Sequence, residues 1–162
     1  MTITTFSTQF DALRVGDQFA TSSRVITEED VQRFAELTGD DHPQHTDAAW
    51  AASSLFGERV AHGLLVFSCA AGLVPFDPER VVALRAVRDL VFKAPVRLGG
   101  SIRVEGRVTS TTPLDERTGL VGVALRVRET GGQLLARAAL EVIWKRTLEQ
   151  REAAVDGQME GS

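Results

Sequence analysis

The sequence predicts an α+β fold in which an antiparallel sheet wraps around one central buried helix, and three features predict it. Residues Val60 to Val74 are apolar almost all round, so a helix there has no side to show to water and belongs inside the protein. Downstream, the hydrophobic period changes from about 3.6 residues to 2, the mark of strands with one wet face. Each such strand carries an apolar face that must be covered, and the buried helix is the element at hand to cover it, although the pattern alone also suits other α+β folds.

The elements follow in chain order. A first strand is expected over Phe19 to Ile26. A helix then starts where Thr27 can cap, where Glu28, Glu29 and Asp30 place negative charge at the positive end of the helix dipole, and where Ile26 can staple onto Val31. Val31, Phe34 and Ala35 recur at helical spacing, and Gly39 supplies the stop. A short amphipathic helix is expected from Asp47 to Leu55, ending at Gly57. The buried helix follows, and Pro75 ends it because proline cannot continue a helix. A strand is expected from Val81 to Phe92. In the next, Ile102, Val104 and Val108 alternate with Arg103, Glu105 and Arg107. After a turn-rich loop at Thr111 to Gly119 come Val121, Val123, Leu125 and Val127. Beyond a Gly131-Gly132 hairpin turn, Leu134, Ala136, Ala138, Leu140, Val142 and Trp144 alternate with Arg137, Glu141 and Lys145.

A chain of 162 residues has room for one domain with a sizeable core, placed over 1–148, and the polar tail over 149–162 is expected to be disordered. At 43% hydrophobic and 25% charged residues, the chain as a whole is too apolar to stay unfolded. The net charge is -4, and Lys and Arg are scattered with no basic block to track phosphates, which argues against nucleic acid as a partner. No run approaches the roughly 20 apolar residues of a membrane span, and Met1 to Phe10 lacks the basic and apolar segments of a secretory signal. The single cysteine, Cys69, suits a reducing compartment, so a cytoplasmic location is expected.

All three histidines, His42, His45 and His62, fall in one short stretch of the chain. The first two lie in Thr38-Gly39-Asp40-Asp41-His42-Pro43-Gln44-His45, a Gly- and Pro-shaped loop between two helices, and such loops often present catalytic groups beside a scaffold. The same residues would also suit a solvated turn with capping aspartates. Asp40, Asp41, His42, His45 and His62 include ligand types for zinc or iron, but Pro43 argues against one helix presenting His42 and His45 on a common face. A nucleophilic mechanism would have to recruit Ser68 or Cys69 from inside the apolar helix, where small residues serve packing. Acid–base work by Asp40 and His45 on one water needs neither a covalent intermediate nor a cofactor. Ala61-His62-Gly63-Leu64 opens the buried helix, where first-turn N–H groups lack partners. Gly63 could bring its N–H to a thioester carbonyl; taken alone, it is better read as letting a strand pack close.

Together, Phe34 to His45 and Ala61-His62-Gly63-Leu64-Leu65 closely resemble the MaoC-like family, which includes the R-specific enoyl-CoA hydratases. The segment from Leu90 to Gly100 looks like that family's sheet segment, and the likeness extends over roughly Leu13 to Lys145. The resemblance implies a hot-dog fold, a homodimer with sites near the dimer interface, and Asp40 and His45 as the catalytic pair. It implies that the Gly63 N–H polarises the thioester carbonyl, with His42, Pro43 and His62 supporting the loop. The implied reaction is reversible hydration of an α,β-unsaturated acyl thioester, carried by CoA or acyl carrier protein, with no metal or organic cofactor. Two departures stand out: His42 replaces the family's usual Asn, and Ala71 replaces a serine found in some hydratases. A hot-dog thioesterase and a non-catalytic acyl-thioester-binding subunit are the competing readings.

Overall fold

The computed structural model describes residues 6–146, so the tail expected over 149–162 lies outside the described residues. After a 3₁₀ turn at Phe10–Ala12, the elements are β1 (Gln18–Ala20), β2 (Arg24–Val25), α1 (Glu28–Thr38), α2 (Pro43–Thr46), α3 (Ala48–Ala52) and α4 (Gly63–Leu73). Four long strands follow: β3 (Val81–Phe92), β4 (Ser101–Pro113), β5 (Thr118–Glu129) and β6 (Leu134–Lys145). They make one antiparallel sheet in the order β1-β4-β5-β6-β3, with β2 pairing β4 beyond β1.

The alternation read from the sequence sets the register. Val104 faces Val127 and Val108 faces Val123 across β4 and β5, while Val123 faces Leu140 and Val121 faces Val142 across β5 and β6. These side chains are buried and form one continuous core with Leu65, Val66, Phe67, Cys69 and Ala70 of α4. The sheet therefore closes over the helix, and the chain has the hot-dog fold. At the far end of the core, Trp144 is fully buried beside Phe6 and Phe76, and its indole N–H donates to the Thr8 carbonyl at 3.0 Å.

Several boundaries differ from the sequence reading. The expected N-terminal strand is two short pieces, β1 and β2, lying end to end along β4. The loop expected from Thr111 to Gly119 is mostly strand, because the β-branched Thr109, Thr111 and Thr112 favour a pleated backbone and extend β4 to Pro113. The helix expected from Asp47 to Leu55 ends at Ala52, since the Ser53 and Ser54 hydroxyls donate to the carbonyls of Trp50 and Ala51 and compete with further turns. The central helix starts at Gly63, not Val60: Val60 bridges Arg97, and the Ala61 N–H donates to the Val96 carbonyl at 2.7 Å. Nor is α4 buried all round, for Leu64, Ser68 and Gly72 form an exposed stripe.

The inner face of the sheet supplies a direct check on this register. Leu125→Ala removes a side chain that is 1% exposed and is expected to cost about 2–5 kcal/mol of unfolding free energy in denaturant titration. Its exposed neighbour Arg126→Ala is expected to stay within about 0.5 kcal/mol of the parent; equal losses at both positions would contradict the inside–outside assignment.

Candidate active site

Helix α1 begins with a reciprocal cap: the Thr27 hydroxyl accepts from the Asp30 N–H and the Asp30 carboxylate accepts from the Thr27 N–H. It ends at Gly39 in the left-handed region (φ 76°), a backbone state that costs glycine little. That reversal aims the chain into Asp40 and Asp41. Pro43 then opens the single turn α2 at a position where its missing N–H costs nothing. The stretch read as a loop thus contains one helical turn. His42 stands just outside it as the cap, its Nδ1 accepting from the Gln44 N–H at 3.1 Å, while His45 lies inside the turn.

The fold brings Asp40, His45 and His62 together, with one side-chain donor atom from each lying within 4.8 Å of the others. The His45 Nδ1 lies 2.7 Å from the Val60 carbonyl. A carbonyl only accepts, so Nδ1 carries the proton and Nε2 is left free as a base. His62 is 2% exposed, and by the same logic its Nε2–H donates to the main-chain carbonyl of Asp40 at 2.9 Å. Its ring stacks on His45 with centroids 3.8 Å apart, and Phe34 of α1 packs on it at 5.0 Å. Burial is the main cause that depresses the His45 pKa below its ordinary 6.5. The Val60 hydrogen bond raises it, His62 and His42 lower it, and Asp40 raises it.

These residues open onto a cleft of about 660 Å³ lined by Asp40, His42, Gln44, His45, Gly63 and, from the far wall, Phe92 to Val96. A second cavity of similar volume lies on the other side of His45, edged by Glu28, Glu36, Asp41 and Arg59. Three of the four helices have side-chain caps, from Thr27, His42 and Asp47, whereas α4 has none because the His62 side chain turns toward Asp40. The first N–H groups of α4 therefore lack a side-chain cap, and Gly63, which carries one of them, lines the cleft. The packing account of Gly63 also holds: a Cβ there would sit 2.9 Å from the ring of Phe92.

Asp40, His45 and His62 have the donor types of a metal site, and each imidazole uses one nitrogen on a carbonyl and leaves the other as the atom it can offer. Ser68 and Cys69 are absent from the cleft lining, and burial pushes the Cys69 thiol up, away from the nucleophilic thiolate. Val74 to Glu79, between α4 and β3, do not line the cleft either.

Some site features escaped the sequence reading. Gln44 is a buried polar residue whose amide donates to the Glu58 carbonyl at 2.9 Å and ties α2 to the strand-like segment before α4. Phe56 and Leu135 line the cleft from distant segments, and no local periodicity marks them. Phe92 to Val96 did carry a signal, the Phe and Pro-Val pair, though without an assigned role.

Comparison with known proteins agrees with this architecture. Residues 11–129 match the family model described as MaoC like domain. Protein MaoC of Klebsiella aerogenes is 41% identical over 100 residues, which is 61% of this chain and 30% of that protein, so the chain spans less than a third of that relative. The (R)-specific enoyl-CoA hydratase of Rhodospirillum rubrum is 31% identical over 104 residues, 64% of this chain and 72% of that enzyme. A solved structure described as a monoamine oxidase regulatory protein from Archaeoglobus fulgius superposes with a TM-score of 0.81 at 32% identity, covering 86% of this chain and 95% of that one. The match over residues 11–129, on a chain whose sheet closes over α4, places this chain in the MaoC like domain family.

Proposed function

We propose that this chain, acting as one domain over residues 1–148 in the cytoplasm, reversibly hydrates an α,β-unsaturated acyl thioester, with the R-specific stereochemistry named for its Rhodospirillum relative. The observation that carries the reading is the meeting of a carboxylate, an imidazole with a free nitrogen and an uncapped helix N-terminus on the wall of one cleft. Asp40 and His45 are the catalytic pair. Their side-chain atoms lie within 4.8 Å, a gap that one water hydrogen-bonded to both can bridge.

In hydration, the water oxygen forms a bond to C3 as His45 Nε2 takes one of its protons, and Asp40 accepts a hydrogen bond from the other O–H. The C2–C3 π electrons move onto the thioester as an enolate, held by the Gly63 N–H. The pair then returns a proton to C2, so the elements of water are added and nothing is oxidised. An enolate-binding donor of this kind contributes about 3–4 kcal/mol to the transition state. His42 and Pro43 shape the turn that carries His45, and His62 supports it. No step calls for a metal or an organic cofactor; the acyl carrier is CoA or acyl carrier protein.

A homodimer completes this reading. Among the described residues β3 pairs only with β6, leaving its other edge unbonded, and it exposes Val82, Leu84, Val87 and Phe92. Leu64 is 59% exposed at the head of the open α4 stripe. Apolar surface of this kind is what a second copy would cover.

Asp40→Asn is expected to keep the fold and lose about 10²–10⁴-fold in kcat for a short-chain enoyl-CoA; an unimpaired variant would remove Asp40 from the mechanism. Thiol release without loss of the enoyl group would instead favour a thioesterase, and binding with neither reaction would favour an acyl-thioester-binding subunit.

His45 acts as a base only when neutral. Because its pKa is depressed from 6.5, the acid limb of kcat/KM should be centred below pH 6.5. A protonation limb centred at or above 6.5 would contradict this assignment.

Sedimentation of the purified protein should give twice the 17.6 kDa chain mass, and Leu84→Arg should shift it toward monomer with loss of activity. A monomer that retains full activity would overturn the dimer.

A further inference from the structure

We propose that His62 is a positioning residue that fixes both proposed catalytic groups at once, gripping the main chain of Asp40 with its Nε2–H and backing the ring of His45 with its face. This rests on the hydratase reading and extends it to how the pair is held. Asp40 follows the Gly39 reversal on a segment without helical hydrogen bonds of its own, and its N–H reaches only the Thr38 hydroxyl, at 3.3 Å. The 2.9 Å bond from His62 to its carbonyl is the shorter tether. His45 has one directional bond, to Val60, which fixes its Nδ1 but not the tilt of the ring about that bond. The stacked His62 ring supplies the missing restraint.

His62 can serve as this reference because it is itself immobilised. Its backbone caps α4, and its ring stacks on His45 and meets the Phe34 ring at 5.0 Å, tilted by 52°. Its Nδ1 is buried without a hydrogen-bond partner among the described residues. With no acceptor at Nδ1, the donor of the ring is Nε2, which meets the Asp40 carbonyl. The other charged or titratable groups facing His45 are Asp40 and His42, Lys93 across the cleft, and Glu28, Glu36, Asp41 and Arg59 around the second cavity.

Two substitutions separate the two grips. His62→Phe keeps a ring against His45 and removes the donor, so Asp40 drifts; kcat for an enoyl-CoA should fall about 10²-fold with KM little changed and the thermal midpoint close to the parent. His62→Gln keeps a donor and removes the stacked ring, which exposes His45 and relieves the burial that depresses its pKa; the acid limb of kcat/KM should move to higher pH. A merely structural role would lower stability without moving that limb. A third measurement needs no variant: imidazole ¹⁵N shifts of the wild-type chain should place the proton on Nε2 of His62 and on Nδ1 of His45. An unchanged kcat in His62→Phe, an unmoved limb in His62→Gln, or a His62 protonated on Nδ1 would each overturn the proposal. A wild-type protein with these tautomers that fails to hydrate any enoyl thioester would count against the hydratase reading instead.

Discussion

Everything else in this structure depends on the burial of α4 beneath the apolar face of the sheet. Val104, Val108, Val123, Leu125 and Leu140 cannot face water without large cost, and Leu65, Val66, Phe67 and Ala70 complete the core that covers them. Because the helix is pinned there, its first turn has a fixed address at the edge of the sheet. His62 and Gly63 stand at that address, and the loop carrying Asp40 and His45 is anchored to it through two main-chain carbonyls, those of Asp40 and Val60.

The electrostatics of the site follow from the same burial. The cleft wall opposite the histidines is largely apolar, from Phe92, Ala94, Pro95 and Val96, so the imidazole of His45 is favoured in its neutral form. A developing enolate there would meet the uncapped end of α4 with little competing solvent, where fixed dipoles act more strongly than in water. Gly63 does two things at one position: the absence of a side chain makes room for the Phe92 ring, and the residue opens α4 where the helix has no side-chain cap.

The exposed features have a common logic. Among the described residues, a single chain leaves the β3 edge unbonded and one stripe of α4 in solvent, although both are apolar. Asp89, with φ 50°, sits where the β3–β6 register slips, and such a bulge bends the strand just before Phe92 and Lys93 enter the cleft wall. Edge, bulge and site are therefore parts of one stretch of chain.

The pairing of the Asp40–His45 segment with His62-Gly63 was carried by the resemblance to the MaoC-like family, while the sequence by itself determined the α+β class, the long strands, and the start and stop of α1. Those properties reside in short-range periodicity, capping residues and turn chemistry, which act between neighbours along the chain. It could not determine that α4 begins at Gly63 instead of Val60, that α3 stops early, or that a stripe of α4 remains open, since these follow from contacts with Val96, Arg97 and the rest of the sheet. Nor did it reveal the His45–His62 stack or the roles of Phe34, Gln44, Phe56 and Leu135. Tertiary structure alone decided these, because stacking and cleft walls join residues far apart in the chain, whose relative placement is set by how the sheet closes over the helix.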